Sequence, residues 1–267
     1  MRIFAGILQK MQTEYNDPIQ YFLHSDAGRF CLSEFVGKKM IFSFSEHIEC
    51  LRCKKKIKKT YQDAYCYPCF LQAPETAPCI IFPEKCQAHL GLGKNIEWEQ
   101  QYHNCKHYVY LAFSSCVKVG ITGSVLTRWM DQGASYGTIL AETPNRYLAG
   151  CVEVELKKFY TDKTPWQKML QNEFNLEVDV LTEKKTALSY LSKDLLEQIQ
   201  PNLTAEYFSL NYPILRYPQK IQTLQPEKTP KMEFELWGIK GQYLLTSLGV
   251  INLRKYGGHQ AIMDVIN

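Results

Sequence analysis

The pattern of apolar and polar positions changes several times along the chain. Residues 1–48 alternate short apolar runs with turn signals, as in IQYFLHSDAGRFCLSEFVGKKMIFSFS, and this pattern predicts a small β segment. Residues 232–267 have the same character, with glycines at the turns between apolar runs. We expect the two β-rich ends of the chain to pack together as one discontinuous domain.

The middle of the chain carries a different pattern. Residues 107–175 contain the apolar segments HYVYLAF and CVKVGIT, a short helical pattern, a short strand at residues 138–141 and a longer helix that begins near Asn145. Residues 176–231 begin with a helical pattern up to about residue 203 and continue as a proline-rich connector. The order of these elements predicts an α+β fold with a separate α+β module in its middle.

Residues 49–106 form a cysteine-rich region with little periodicity, which is typical of loops held together by metal. Two CxxC pairs, Cys50 with Cys53 and Cys66 with Cys69, are separated by twelve residues. Two such turns bring four thiolates around one ion, whereas a redox motif needs a single CxxC at the start of a helix. We therefore predict a structural zinc site at these four cysteines.

A second group of candidate zinc ligands follows in the same region. It consists of Cys79, Cys86, His89 and Cys105, with His103 and His107 as substitutes. The residue types suit zinc, but their spacing is irregular. The alternative is that Cys79 and Cys86 are small buried apolar residues. The sequence leaves both interpretations open.

The loop between the two CxxC pairs is strongly basic. Its lysines are Lys54, Lys55, Lys56, Lys58 and Lys59, and Tyr61, Tyr65 and Tyr67 follow them. Positive charge beside aromatic rings favours contacts with the phosphates and bases of nucleic acid. The alternative is a solvated charged loop. A formal charge of +4 permits a nucleic-acid partner without requiring one.

The composition indicates a folded protein, because 45% of the residues are hydrophobic and 22% are charged. The first residues have too short an apolar run for a signal peptide, and no run of about 18 apolar residues occurs that spans a bilayer. We expect a cytoplasmic protein without a membrane partner. A reducing cytosol disfavours disulfides, which favours metal binding by the paired cysteines.

The stretch YVYLAFSSCVKVGITGSVLTRWMDQGA resembles the GIY-YIG nuclease superfamily, and the resemblance covers about residues 107–160. Tyr110 matches the tyrosine of the first family motif, Gly120 the glycine of the second, and Arg128 the helix arginine. Lys118 departs from the pattern because it stands in place of the second tyrosine. The resemblance implies a small antiparallel sheet with flanking helices.

The resemblance also implies a metal-binding glutamate, which matches Glu153 best. In the helix that follows Asn145, periodicity predicts a buried stripe of Leu148, Val152, Leu156 and Phe159. Glu153 and Glu155 lie on opposite edges of that stripe, so periodicity does not choose between them. Glu153 and Lys157 are also spaced for a plain surface ion pair.

Hydrolysis of a phosphodiester is the reaction that this resemblance implies. Glu153 would hold a magnesium or manganese ion that stabilises the leaving oxygen. Arg128 would neutralise the phosphate, and Tyr110 would orient or deprotonate the attacking water, with Lys118 lowering its proton affinity.

Over nearly its whole length the chain also resembles a bacterial family of unknown function, domain-of-unknown-function family 2797. The stretches that carry this resemblance are CLRC with CYPCF, HYVYLA, KVGIT, TRWMDQGA, NRYLAG, DKTPWQKML and GIKGQYLLTSLGVINLRKYGG. The resemblance implies an architecture and no particular activity.

Two hypotheses of different classes follow. In the first, the chain is a zinc-containing protein with a nuclease-like centre that cuts DNA or RNA. In the second, the same scaffold binds nucleic acid, a nucleotide or a protein without cutting. The substituted tyrosine and the ambiguous glutamate keep the second hypothesis open.

Overall fold

The computed structural model describes residues 1–173 and 178–266 of the chain. The expected boundary between segments 107–175 and 176–231 lies outside the described residues, as does Asn267 at the end of the last segment. The expected segment boundaries stay a prediction.

The strands and helices follow each other in a mixed α+β order. The strands are β1 (Arg2–Ile7), β2 (Gln12–Glu14), β3 (Gln20–Ser25), β4 (Gly28–Cys31), β5 (Lys39–Glu49), β6 (Lys56–Ile57), β7 (His107–Phe113), β8 (Val117–Thr122), β9 (Tyr136–Thr143), β10 (Gln200–Pro201), β11 (Phe208–Ser209), β12 (Lys231–Lys240), β13 (Tyr243–Thr246), β14 (Gly249–Asn252) and β15 (His259–Val265). The helices are α1 (Tyr67–Gln72), α2 (Ile96–Tyr102), α3 (Val125–Gln132), α4 (Arg146–Leu156), α5 (Trp166–Leu170), α6 (Val180–Ser189) and α7 (Lys193–Leu196). The expected α+β class is confirmed.

The two ends of the chain share one antiparallel sheet, which we call the terminal sheet. Its strand order is β1-β15-β5-β12-β13-β14, and β6 pairs with β5. The first strand therefore lies beside the last, with Phe4 opposite Met263. Alternate side chains of these strands, such as Phe42 and Phe234, are buried in a shared apolar core. The prediction that the β-rich ends pack together is confirmed.

A second antiparallel sheet, the central sheet, has the strand order β10-β9-β7-β8, and β11 also pairs with β9. Side chains of a strand alternate between the two faces of its sheet. On β7, Tyr110 and Ala112 join the core that the terminal sheet and α3 share. Val109, Leu111 and Phe113 join a separate core with α4 and α6. The central sheet is thus covered on both faces.

Helix α4 begins at its expected position. Asn145 is the N-cap, and its side-chain oxygen accepts a hydrogen bond of 2.9 Å from the Leu148 amide. The first three residues of the expected stripe are buried. The prediction for Phe159 was wrong, because the helix ends at Leu156 and Phe159 is 55% exposed, stacked on Tyr190.

The expected helix up to residue 203 is shorter in the structure. Helix α6 ends at Ser189, the short α7 follows, and Gln200 pairs as a strand residue with Glu142 of β9. Proline at position 201 has no amide proton for a helical hydrogen bond, so the chain joins a sheet edge there instead.

Within the described ranges, none of the helices combines the length and apolar character that crossing a lipid bilayer requires.

Candidate functional site

The two CxxC pairs lie together, as their spacing predicts. One ligand atom from each of Cys50, Cys53, Cys66 and Cys69 falls within 4.8 Å of the others. The sulfurs of Cys53 and Cys66 are 3.8 Å apart. Two sulfurs bound tetrahedrally to one zinc at about 2.3 Å are themselves about 3.8 Å apart. The donor set and its dimensions fit a zinc ion.

Backbone geometry prepares this cluster for metal. The Cys66 amide donates a 3.2 Å hydrogen bond to the Cys50 sulfur, and Cys66 also begins helix α1, which carries Cys69 in its first turn. Burial acts to raise the pKa of Cys50, but the backbone amides of Cys53, Cys66 and Arg52 outweigh it and lower the pKa to about 6. A thiolate, the form that binds zinc, is therefore available near neutral pH.

The second cysteine group assembles around a different histidine. Cys79, Cys86 and His103 are buried and bring their ligand atoms within 4.8 Å of one another. His89 instead stacks on Tyr147 with its ring centre 4.5 Å away, and Cys105 is exposed. Of the expected residues, the structure thus groups the two cysteines with the substitute His103.

His107, the other substitute, is also placed away from the group of metal-ligating atoms. Its ring nitrogen Nδ1 lies 2.9 Å from the carbonyl oxygen of Cys105, a hydrogen bond that uses this nitrogen. Burial lowers the pKa of His107, so the ring is neutral at pH 7. Its partners indicate a role in holding the chain at the start of β7.

The lysine-rich loop lies on the surface beside the four-cysteine cluster. Its members Lys54, Lys55, Lys56, Lys58 and Lys59 are all exposed. Within residues 1–173 and 178–266, none of them forms an ion pair. The ammonium of Lys59 lies 5.4 Å from the centre of the Tyr61 ring. Charge and an aromatic face are therefore both presented to solvent.

A groove lies between residues 60–65, which directly follow this loop in the chain, and helix α3. Its volume is about 760 Å³, and its walls include Tyr61 from the cysteine-rich region, Lys10, Arg254 and Thr127 of α3. Lys10 is paired with Asp131, and Arg254 lies 3.7 Å from Asp63, so part of this charge is neutralised inside the protein. Thr127, which lines the groove, is followed in the chain by the exposed Arg128.

The ring of Tyr110 is buried in the core, and its hydroxyl lies over β8, the neighbouring strand at the edge of the central sheet. Tyr110 of β7 lies opposite Gly120 of β8, and a Cβ at position 120 would collide with the tyrosine hydroxyl. The ring also packs edge-on against Trp129, with 5.9 Å between ring centres. Glycine at position 120 is thus what allows the phenol to cross β8.

The Tyr110 hydroxyl is linked to Arg128 through Gln132. With the Gln132 amide oriented to satisfy both neighbours, its nitrogen donates to the Tyr110 hydroxyl at 3.1 Å. Its oxygen then accepts from Nε and Nη2 of Arg128 at 2.7 and 3.2 Å. Burial raises the pKa of Tyr110 although Arg128 acts to lower it. The phenol is therefore neutral at pH 7, which favours orienting a water molecule over deprotonating it.

Lys118 lies on the same face of the central sheet, because it pairs with Ala112 two positions from Tyr110. The outer edge of β8 is covered by the chain near Thr161, which pairs with Lys118. Burial, followed by the charge of Arg128, lowers the pKa of Lys118 to about 8. Lys118 therefore loses its proton much closer to neutral pH than an ordinary lysine.

Glu153 approaches from the opposite face, since it belongs to α4. Its carboxylate is mostly buried and lies 3.3 Å from the ammonium of Lys157. Its charge acts on both Tyr110 and Lys118 by raising their pKa values, although burial is the larger influence on each. The charges of Arg128 and Glu153 thus both act on Tyr110 and Lys118, so the four residues that the family resemblance singled out are linked electrostatically.

Glu155 has a different set of contacts. Its two carboxylate oxygens accept hydrogen bonds from the amide and the hydroxyl of Ser192, at 2.9 and 3.1 Å. Ser192 is the residue that precedes helix α7. Glu155 is thus occupied in joining α4 to α7, a contact across 37 residues that helical periodicity cannot reveal.

Two polar residues at these sites, Gln132 and Arg146, were not among the residues predicted from the sequence. Gln132 follows Arg128 by four positions, the spacing at which helical side chains meet, and this was the available signal. Arg146 donates from Nε and Nη2 to the carbonyls of Cys79 and Ile80, both at 3.0 Å. No local pattern predicts the second contact, because its partners lie more than sixty residues earlier.

Comparison with curated proteins gives no match, and comparison with solved structures gives none either. One family model does match, and it covers residues 37–261, which is most of the chain. The match includes both cysteine groups, the central sheet and most of the terminal sheet. The chain therefore belongs to the family described as "Protein of unknown function (DUF2797)".

Proposed function

We propose that this protein is a zinc-containing, metal-dependent phosphodiesterase that acts on nucleic acid through a GIY-YIG-like centre. The observation that carries the proposal is that the charges of Glu153 and Arg128 both act on Tyr110 and Lys118, although these residues belong to different elements of the fold. Stability of the fold does not require this set of groups, which consists of a buried carboxylate, a lysine of lowered pKa, a buried phenol and an arginine.

The role of each side chain follows from its surroundings. Glu153 would hold a magnesium or manganese ion, because a single carboxylate completed by water suits a hard cation. The ion would supply charge to the leaving oxygen of the phosphodiester. Arg128 is exposed, follows the groove residue Thr127 in the chain and would bind the phosphate.

The water activation step uses Tyr110 and Lys118. The neutral phenol of Tyr110 would orient the attacking water, since burial raises its pKa. Lys118 in its neutral form would accept the proton of that water, because a pKa of about 8 lies near the pH of the reaction. This arrangement also gives a function to lysine at the position where the superfamily motif has tyrosine.

The groove between the basic loop and α3 supports nucleic acid as the substrate. A nucleic-acid strand in the groove would contact Tyr61 and Thr127, which are close in sequence to the exposed lysines and to Arg128, respectively. Lysines would neutralise phosphates, and the tyrosine would stack on a base. The four-cysteine zinc site would fix the loop that carries these groups.

A nucleic-acid-binding module without catalysis is the second candidate. It is favoured by the ion pair of Glu153 with Lys157 and by the complete burial of Tyr110. Catalysis requires that a metal ion displace Lys157 from the carboxylate. Both functions use the same groove and the same basic loop, so only a cleavage assay separates them.

The test is cleavage of labelled single- and double-stranded DNA and RNA with magnesium or manganese. The parent protein is compared with Glu153→Gln and Arg128→Ala, and Glu155→Gln serves as the matched control on the same helix. We expect cleavage by the parent and the control, and a loss of at least about 100-fold in the two site variants. Cleavage that persists in both site variants refutes the proposed centre.

Binding is measured with the same substrates by fluorescence anisotropy at several salt concentrations. A variant in which Lys54, Lys55, Lys56, Lys58 and Lys59 are changed to glutamine should bind more weakly and depend less on salt. Binding by the parent without any cleavage, abolished in this variant, would establish the non-catalytic module instead.

A further inference from the structure

We propose that Cys79, Cys86 and His103 hold a second metal ion, with Glu99 as its fourth ligand. The inference does not depend on the proposed nuclease activity. It differs from the expectation drawn from sequence, in which His89 and Cys105 completed the group and His103 was a substitute. The observations that carry it are the geometry around one histidine nitrogen and the construction of the surrounding segment.

The Nδ1 atom of His103 is nearly equidistant from three potential ligands. It lies 3.8 Å from the sulfur of Cys79, 3.7 Å from the sulfur of Cys86 and 3.9 Å from Oε2 of Glu99. In a tetrahedral zinc site a sulfur and a nitrogen are about 3.6 Å apart. The distances are somewhat long for hydrogen bonds but close to those between ligands of one ion.

The position of Glu99 is fixed by its other contacts. The residue is only 2% exposed, and its Oε1 accepts hydrogen bonds from the amides of Lys94 and Asn95, at 2.7 and 3.4 Å. Gly93 leaves room for the carboxylate, because a Cβ there would collide with both of its oxygens. Oε2 lies 3.9 Å from Nδ1 of His103 but outside the group in which all ligand atoms are within 4.8 Å of one another, so the carboxylate must turn toward the sulfurs to bind the ion.

The segment around these ligands has only a small apolar core of its own. Between residues 74 and 90 the chain runs through short 3-10 turns. The buried apolar cluster there consists of small side chains, Ala77, Cys79, Cys86 and Ala88. Large apolar side chains, including Ile81 and Leu90, are more than half exposed. Such a small core does not hold a segment of this length, and a metal ion supplies the missing free energy.

The proposed site also fastens this segment to helix α4. Arg146, at the start of the helix, donates hydrogen bonds to the carbonyls of Cys79 and Ile80. Gly150, one turn later, lies against the backbone of Pro83, whose carbonyl carbon would be 2.5 Å from a Cβ at that position. Loss of the metal should therefore loosen the contact between residues 74–90 and α4.

The chemistry of the ligands favours zinc. Two thiolates and an imidazole are zinc ligands, and a carboxylate is accepted as the fourth. A site with nitrogen and oxygen donors differs from the four-cysteine cluster, in which every donor is sulfur. That difference makes the two ions distinguishable by spectroscopy.

The experiment is elemental analysis of protein purified without added metal. We expect two zinc ions per chain in the parent and one in Cys79→Ser and His103→Ala. His89→Ala and Cys105→Ser, the matched controls, should keep two. Glu99→Gln should release its second zinc to a chelator at least about tenfold faster than the parent. Hydrogen exchange should then show faster opening of residues 74–90 in His103→Ala.

X-ray absorption at the zinc edge of the parent protein gives a result that does not depend on whether the variants fold. It should report a mixed shell of sulfur with nitrogen and oxygen, whereas the four-cysteine site alone gives sulfur only. The proposal is overturned by one zinc per chain with a pure sulfur shell, by two zinc ions in His103→Ala, or by loss of a zinc in either control. Unchanged zinc release from Glu99→Gln would overturn the assignment of the fourth ligand.

Discussion

Gly120 offers a sharp test of how Tyr110 is positioned. A Cβ at position 120 would collide with the tyrosine hydroxyl and lie 2.6 Å from Cζ and 3.2 Å from Cε1 of the ring. The ring is fully buried and packs against Trp129, so it cannot swing aside cheaply. Overpacking of a core costs about 1–3 kcal/mol. Loss of the hydrogen bond between Tyr110 and Gln132 adds about 1 kcal/mol.

Gly120→Ala should therefore lower the free energy of unfolding by about 2–4 kcal/mol. Gly123→Ala is the matched control, because its nearest neighbouring atom would be Nε2 of His107 at 3.9 Å, an ordinary contact. The control should change stability by less than about 0.5 kcal/mol. Urea unfolding monitored by tryptophan fluorescence measures both values.

A double-mutant cycle isolates the contact itself. In a Tyr110→Leu background the hydroxyl and the ring atoms closest to position 120 are gone, so most of the cost of Gly120→Ala should disappear. Equal costs in the two backgrounds would refute the idea that the phenol crosses β8 over Gly120.

Three further predictions follow from contacts at and around the candidate site. Glu155→Ala removes the carboxylate that accepts the hydrogen bonds of Ser192 at the start of α7. The free energy of unfolding should fall by about 1 kcal/mol, which lowers the melting temperature, and cleavage should be unaffected. Lys118 is neutral above its pKa of about 8. Because the neutral amine is the base, the cleavage rate should rise with pH up to about 8 and then level off. A cleavage rate that falls as the pH rises to about 8 contradicts this role of Lys118. Cys53→Ser should remove the zinc of the four-cysteine site and destabilise residues 50–69, which elemental analysis and limited proteolysis detect; a full zinc content would contradict the assignment.

Elements with a strong local pattern were predictable from the sequence. The strands β7 and β8 follow the apolar segments HYVYLAF and CVKVGIT, and α4 begins directly after its capping residue Asn145. The four-cysteine group was also predictable, because each CxxC turn contains both of its ligands within four residues. Alternation of apolar and polar residues likewise indicated that both ends of the chain form strands.

Contacts between distant parts of the chain were not predictable in the same way. The second cysteine group takes its ligands from separate turns and from the end of α2, so no fixed spacing identifies His103 among the neighbouring histidines. The different surroundings of Glu153 and Glu155 depend on Lys157 and on the distant Ser192. Phe159 was misassigned because helical periodicity does not show that the helix stops at Leu156.

The most direct test of the proposed centre is the position of a catalytic metal ion. Crystals of the parent protein grown with manganese can be measured near the manganese absorption edge, where anomalous scattering locates that metal apart from zinc. We predict manganese bonded to the carboxylate of Glu153, with Lys157 displaced. Manganese bound at Glu155, or a Glu153 carboxylate that keeps its ion pair with Lys157 at saturating manganese, would contradict the account.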